Sequence, residues 1–149
     1  MFLHYRIFIF CVAILLTACS GPAVKVQLLS ANQLNPNAQG KSLPVQVRIY
    51  TLNSADVFKQ ASFKELWKHD KTTLGDSLIE SKEFMLSPHT RGQICFTHNS
   101  NVHYVGIIAV YRRPKHNRWR VIEPIAETIM SLSKPIKVYF HNNVIQLNK

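Results

Sequence analysis

The chain has 149 residues, with 18 Lys and Arg against 8 Asp and Glu, for a formal charge of +10. This length suits one compact domain with a core of its own. Five glycines and three cysteines are too few for a glycine-rich phosphate loop or a disulfide-stapled scaffold.

The first element is an apolar run from Ile7 to Leu16, ten residues long and preceded by Arg6. A helix that crosses a bilayer needs about twenty such residues, so the run reads as the apolar part of an export signal. Leu16-Thr17-Ala18-Cys19 resembles a bacterial lipobox, which implies cleavage before Cys19 and lipid on its sulfur and new amino terminus. The alternative is an ordinary signal with an incidental cysteine. Three segments follow: 1–18 as signal peptide, 19–23 as lipidated tether, and 24–149 as the folded domain. Cleavage removes only Arg6 of the cations, leaving 17 against 8 acids, or +9. Cys11 leaves with the signal, so Cys95 remains as the one thiol not committed to lipid. In the apolar run Ile94-Cys95-Phe96 it is expected to be a buried strand thiol.

Short strands dominate the remainder. Val24, Val26 and Leu28 alternate with polar neighbours, as do Val45, Val47 and Ile49, the period of half-buried strands. Further strands are expected at 80–87, 93–98, 103–112, 118–123, 135–140 and 144–148. Residues 105–110 are apolar at both parities, which predicts a central strand covered on both sides. His141-Asn142-Asn143 suits a tight hairpin turn, because Asn tolerates positive φ. Between the second and third strands the pattern turns helical. Ser62-Phe63-Lys64-Glu65 has the capping-box form, and Phe63, Leu66 and Trp67 share one helical face. Residues 54–60 and 73–78 add a turn each. These apolar residues are expected to cover an open end of the sandwich. The fold class is therefore mainly β: a two-sheet β-sandwich of about eight strands with a short helical insertion.

Motifs for chemistry are sparse. The acids cluster around the helical insertion, and no pair is spaced for acid–base work. A nucleophile elbow and an HExxH motif are both missing from the sequence. Cys95, His98 and His103 match no standard zinc spacing, so no metal site is expected. The basic stretch from Arg112 to Arg120 would suit nucleic acid in a cytosolic protein. Export removes that partner and leaves anionic lipid, cell wall or an acidic protein surface. The competing reading is a solvated hairpin tip with Trp119 packed inward.

Together these residues resemble the TssJ (SciN) family, the outer-membrane lipoproteins of the type VI secretion apparatus. The resemblance runs from the lipobox through Leu34-Asn35-Pro36, Gly40 and the strand Leu43-Pro44-Val45-Gln46-Val47-Arg48-Ile49-Tyr50. It continues through Phe63-Lys64-Glu65-Leu66-Trp67, the segment from Tyr104 to Arg112, and Trp119-Arg120, and closes with the hairpin around Val138 and Leu147. Where the family has Pro-Gly after its third strand, this chain has Pro88-His89-Thr90-Arg91-Gly92. The resemblance implies a transthyretin-like sandwich that tethers the periplasmic C-terminal domain of TssM to the outer membrane. It implies a partner surface on the loop between the first two strands, residues 31–42, with Asn32, Leu34, Asn35, Asn37 and Lys41 as candidates. Ser20, after the lipidated cysteine, resembles residues that permit sorting to the outer membrane.

Geometry points to the same loop. The four residues between Cys19 and Val24 span at most about 15 Å, so the sandwich stays close to its membrane. If strands alternate in direction, the loops at 31–42, 88–92, 112–118 and 141–143 share the end about 20 Å further out. Arg112, Arg113, Lys115 and Arg118 would join that distal rim. The expected protein is a tethered adaptor facing the periplasm, with no enzyme activity, nucleic acid, small-molecule substrate or cofactor beyond the lipid on Cys19. A stand-alone envelope lipoprotein that binds a ligand or inhibits an enzyme is the alternative.

Overall fold

The computed structural model describes residues 22–125 and 134–148. The expected export signal, Cys19 and Ser20 lie outside them. Eight strands form two four-stranded sheets. The first has the order β4-β1-β7-β8 and the second β3-β2-β5-β6. The strands are β1 (Ala23–Ser30), β2 (Val45–Leu52), β3 (Leu78–Leu86), β4 (Arg91–Thr97), β5 (Tyr104–Val110), β6 (Arg120–Pro124), β7 (Ile136–His141) and β8 (Val144–Leu147). Each coincides with an expected strand to within a few residues. Neighbours are antiparallel except β1 and β7, which run parallel.

Strand parity builds the core. In β1, Val24, Val26 and Leu28 are buried, while Lys25 and Gln27 turn to the outer face. Val47 and Ile49 of β2 stand opposite Ala109 and Ile107 of β5, and all four are buried. The same parity rule corrects the expectation for Cys95, which is exposed. Inward-facing Ile94 and Phe96 on either side force the residue between them outward, where it stands beside Lys25. Asn142 and Asn143 take φ of 43° and 63°, the left-handed pair that a two-residue hairpin turn requires.

The helical insertion is α1 (Asp56–Gln60), α2 (Phe63–Lys68) and α3 (Asp70–Leu74), followed by a 3₁₀ turn at Gly75–Ser77. The capping box at Ser62 and Glu65 is complete: Glu65 N–H donates to Ser62 Oγ at 3.3 Å, and Ser62 N–H to Glu65 Oε2 at 2.7 Å. That bond holds the Glu65 carboxyl below its ordinary range. The insertion covers the outer face of the second sheet, not an end of the sandwich as expected. Tyr50 and Ile108 point to that outer face and are fully buried, so strands apolar at both parities demand a further layer. Phe58 lies over Gly106, and Tyr50 meets its ring edge-on at 6.1 Å.

Two arginines fasten this layer. Arg48 donates to the carbonyls of Leu66 (3.2 Å) and Trp67 (2.8 Å) near the end of α2. Arg120 donates to Phe58, Lys59 and Ala61 carbonyls at 2.6–2.8 Å around the end of α1. Cations there satisfy orphan carbonyls and complement the helix dipole. At the sandwich edge, Lys82 bridges the sheets, donating to Cys95 O at 2.6 Å with its ammonium 4.6 Å from the centre of the Phe96 ring.

The contact over Gly106 gives a stability prediction. A Cβ there would stand 2.8 Å from Phe58 Cε2, whereas one at Gly92 would meet nothing within 4 Å. Gly106→Ala is expected to cost about 1–3 kcal/mol, the usual penalty of overpacking, and Gly92→Ala within about 0.5 kcal/mol of zero. Urea titration of both variants measures the difference; equal midpoints would contradict this packing.

Candidate docking surface

The loops after β1, β3, β5 and β7 meet at the end of the sandwich opposite Pro22. Ala31 N–H donates to Phe140 O (2.9 Å), Ser30 N–H to Thr90 O (3.0 Å), and Asn142 N–H to Gln33 O (3.0 Å). Arg112 N–H donates to Asn35 Oδ1 at 2.9 Å, and Ile145 N–H to Arg118 O at 2.8 Å. The four loops therefore form one surface, as strand alternation requires.

The loop at 31–44 is folded from within. Ser42 Oγ donates to Asn32 O (2.6 Å) and accepts from Leu34 N–H (3.2 Å). Leu43 N–H closes on Leu34 O at 3.0 Å. Asn37 caps a tight turn, its Oδ1 accepting from Gln39 and Lys41 N–H, with Gly40 at φ +78°. Asn32 and Lys41 are exposed and Asn37 is half-buried. Leu34 is fully buried in the core cluster, and Asn35 is 4% exposed. These two side chains fasten the loop from within. Asn35 takes the left-handed φ of 46°, donates from Nδ2 to Pro44 O at 2.9 Å and accepts from Arg112. One side chain thus holds the entry to β2 and the exit from β5.

The basic turn has both features that competed for it in the sequence. Arg112, Arg113, Lys115 and Arg118 are all exposed, while Trp119 is buried with its ring edge-on to Phe63 at 5.0 Å. The turn closes through Arg118 N–H to Lys115 O (2.9 Å), with His116 at φ 46°. Tyr111 anchors it by donating to Val144 O at 2.8 Å, and burial pushes its phenol well above the ordinary range.

One feature of this end carries no mark in the sequence. On the outer face of the first sheet, Arg91, Leu29 and Tyr139 stand side by side across β4, β1 and β7. They line a cleft of about 650 Å³ with Asn32 and His89. Only the order of strands joins residues so far apart in the chain.

The acids are placed elsewhere. Arg48 pairs with Glu83 (2.5 Å) and Asp70 (3.3 Å) on the second sheet, and Tyr50 donates to Asp70 at 3.1 Å. Burial raises the Tyr50 phenol, and the nearby Asp70 carboxylate adds to the shift. Burial alone would raise the Glu83 carboxyl, but hydrogen bonds from Gln46 and Arg48 hold it below its ordinary range. Within this network Arg48, Tyr50 and Asp70 tie the second sheet to the helical layer. His98 and His103 line a smaller cleft at the opposite end, away from outward-facing Cys95. Among the described residues no three His, Cys, Asp or Glu side chains gather as a metal site, and no helix is long and apolar enough to cross a membrane.

Asn35 supplies the test of this geometry. Asn35→Ala leaves a carbonyl and an amide without partners, each costing about 1–3 kcal/mol where buried. The variant is expected to unfold at lower urea and to lose hydrogen-exchange protection at the Arg112 amide. Unchanged protection there would show that the two loops are held by something else.

Residues 22–143 match the family described as type VI secretion lipoprotein, with VasD, EvfM and TssJ among its names. No curated protein sequence matches. Among solved structures, the fold is similar to Serratia marcescens Lip, a membrane-bound component of the type VI secretion system. The TM-score is 0.77 at 24% identity over 86% of this chain and 99% of that one. It is similar to the lipoprotein TssJ1 from Pseudomonas aeruginosa at TM-score 0.72 and 25% identity, over 85% and 96% of the two chains. A chain in the structure described as the TssM C-terminal domain (869–1107) from EAEC shares the fold at TM-score 0.72 and 21% identity, over 85% and 98%. With a sequence match from Pro22 to Asn143 across both sheets, the chain belongs to the type VI secretion lipoprotein family of TssJ.

Proposed function

We propose that this protein anchors the type VI secretion machinery to the outer membrane by holding the periplasmic C-terminal domain of TssM. Cys19 carries the lipid, residues 19–23 form the tether, and the domain from residue 24 faces the periplasm. Ser20 permits passage to the outer membrane. The carrying observation is the gathering of four loops at the end opposite Pro22, with exposed Lys41, Arg112, Arg113, Lys115 and Arg118 around them. A chain tethered at one end presents the other to its surroundings. The described residues pair none of these five cations with a carboxylate, which leaves them for an acidic partner surface. Membership in a lipoprotein family supports the anchor. The likeness to a chain from a structure described by the TssM C-terminal domain supports the partner.

Direct contact falls to exposed Asn32 and Lys41, half-buried Asn37 and the basic turn, while Leu34 and Asn35 hold the loop in shape. Arg113→Glu with Lys115→Glu is expected to slow association with the TssM domain about tenfold at low salt, and less as salt rises. Its melting temperature should match the wild type, since both positions are exposed. Interferometry with the full-length chain in detergent measures this; unchanged association would remove the basic turn from the interface.

The anchor is tested separately. One acyl chain holds a protein only marginally, whereas several hold it stably at about 0.8 kcal/mol per buried methylene. Cys19→Ala is expected to leave the outer-membrane fraction. Ser20→Asp should move to the inner membrane on a density gradient. Wild-type fractionation of Cys19→Ala would contradict the lipid anchor.

A further inference from the structure

The molecule is divided by charge. Between residues 22 and 125 every Asp and Glu falls at 56–83 or at Glu123, and residues 134–148 contain none. The three ion pairs among the described residues lie on the second sheet or between it and its helical layer. The strands of the first sheet therefore contain no acid, and among the described residues Lys25, Arg91 and Lys137 on its outer face have no carboxylate partner. The cleft described above opens on this face, beside the distal rim.

Leu29 and Tyr139, both half-buried, form the floor of the cleft, and exposed Arg91 stands at one side. Asn32 and His89 rise as walls from the β1–β2 loop and the β3–β4 turn. The walls are fastened together: His89 N–H donates to Ala31 O (3.1 Å) and Thr90 N–H to Ser30 Oγ (2.8 Å). Ser30 Oγ in turn donates to Ser87 O at 2.7 Å. The site is thus built before any partner arrives, which lowers the ordering cost of binding.

We propose that this cleft receives an extended acidic segment of the protein partner, with a carboxylate on Arg91 and an apolar neighbour on Leu29 and Tyr139. The inference rests on the docking reading above and extends the interface from the rim onto the first sheet. A guanidinium presents a planar fork that fits a carboxylate, and an aromatic floor beside it suits the next side chain. The cleft lies toward the end opposite Pro22, away from the membrane that the tether would hold, which favours a protein segment over anionic lipid of that membrane.

The test uses the full-length chain in detergent and the TssM C-terminal domain as probe. Arg91→Glu is expected to weaken binding about tenfold or more and to reduce its salt dependence, with Arg91→Gln between it and wild type. Both should melt as wild type does, because Arg91 is exposed. Lys71→Glu, on the exposed helical side, is expected to bind normally. If the Arg113/Lys115 double variant weakens binding and Arg91→Glu does not, the docking reading stands and the cleft proposal falls. If wild type does not bind the domain, both fall. Vesicles with about 30% phosphatidylglycerol give the remaining comparison. Loss of vesicle binding by Arg91→Glu with normal TssM binding would make the cleft a lipid surface and overturn the proposal.

Discussion

The distal end of this molecule depends on one buried amide. Asn35 sits in the left-handed region, which costs Asn less than most residues because its short side chain finds local partners. From there its oxygen takes the Arg112 amide and its nitrogen reaches the Pro44 carbonyl. Leu34 beside it is withdrawn into the core. A loop of this length over the end of a sandwich would ordinarily be mobile. Here two buried side chains make it part of the domain and fix its position against the basic turn.

That arrangement divides the labour between the sheets. The outer face of the second sheet is covered by helices over β2 and β5, and Arg48, Asp70 and Arg120 hold that layer in place. Among the described residues no helix covers the first sheet, and Lys25, Arg91 and Lys137 enter no ion pair. Interfaces gain specificity and speed of association from unbalanced charge, whereas balanced networks serve mainly to fix structure. The asymmetry separates the part of the molecule that keeps the fold from the part available to a partner.

Most of the architecture is legible in the sequence because strand parity is a local signal. The alternation in β1 and β2 and the doubly apolar β5 locate their strands and their coverage without any tertiary information. The capping box at Ser62 and the paired asparagines after His141 do the same for a helix start and a hairpin. What is missed depends on contacts distant in sequence. Parity along β4 places Cys95 outward, but an apolar triplet reads as buried until the inward positions are known. Leu34 and Asn35 look like exposed loop residues because their partners, the core and Arg112, lie across the fold. The cleft is the extreme case. Arg91 and Tyr139 become neighbours of Leu29 only through the placement of β1 between β4 and parallel β7.

The proposed docking places the end opposite Pro22 against the partner. Hydrogen exchange of the full-length protein, with and without the TssM C-terminal domain, tests it most directly. Slower exchange on binding is expected at residues 31–42, 88–92 and 112–118, with little change in the helical layer at 56–77. Protection confined to the helical layer, or to the loop at 98–103 near Pro22, would contradict it.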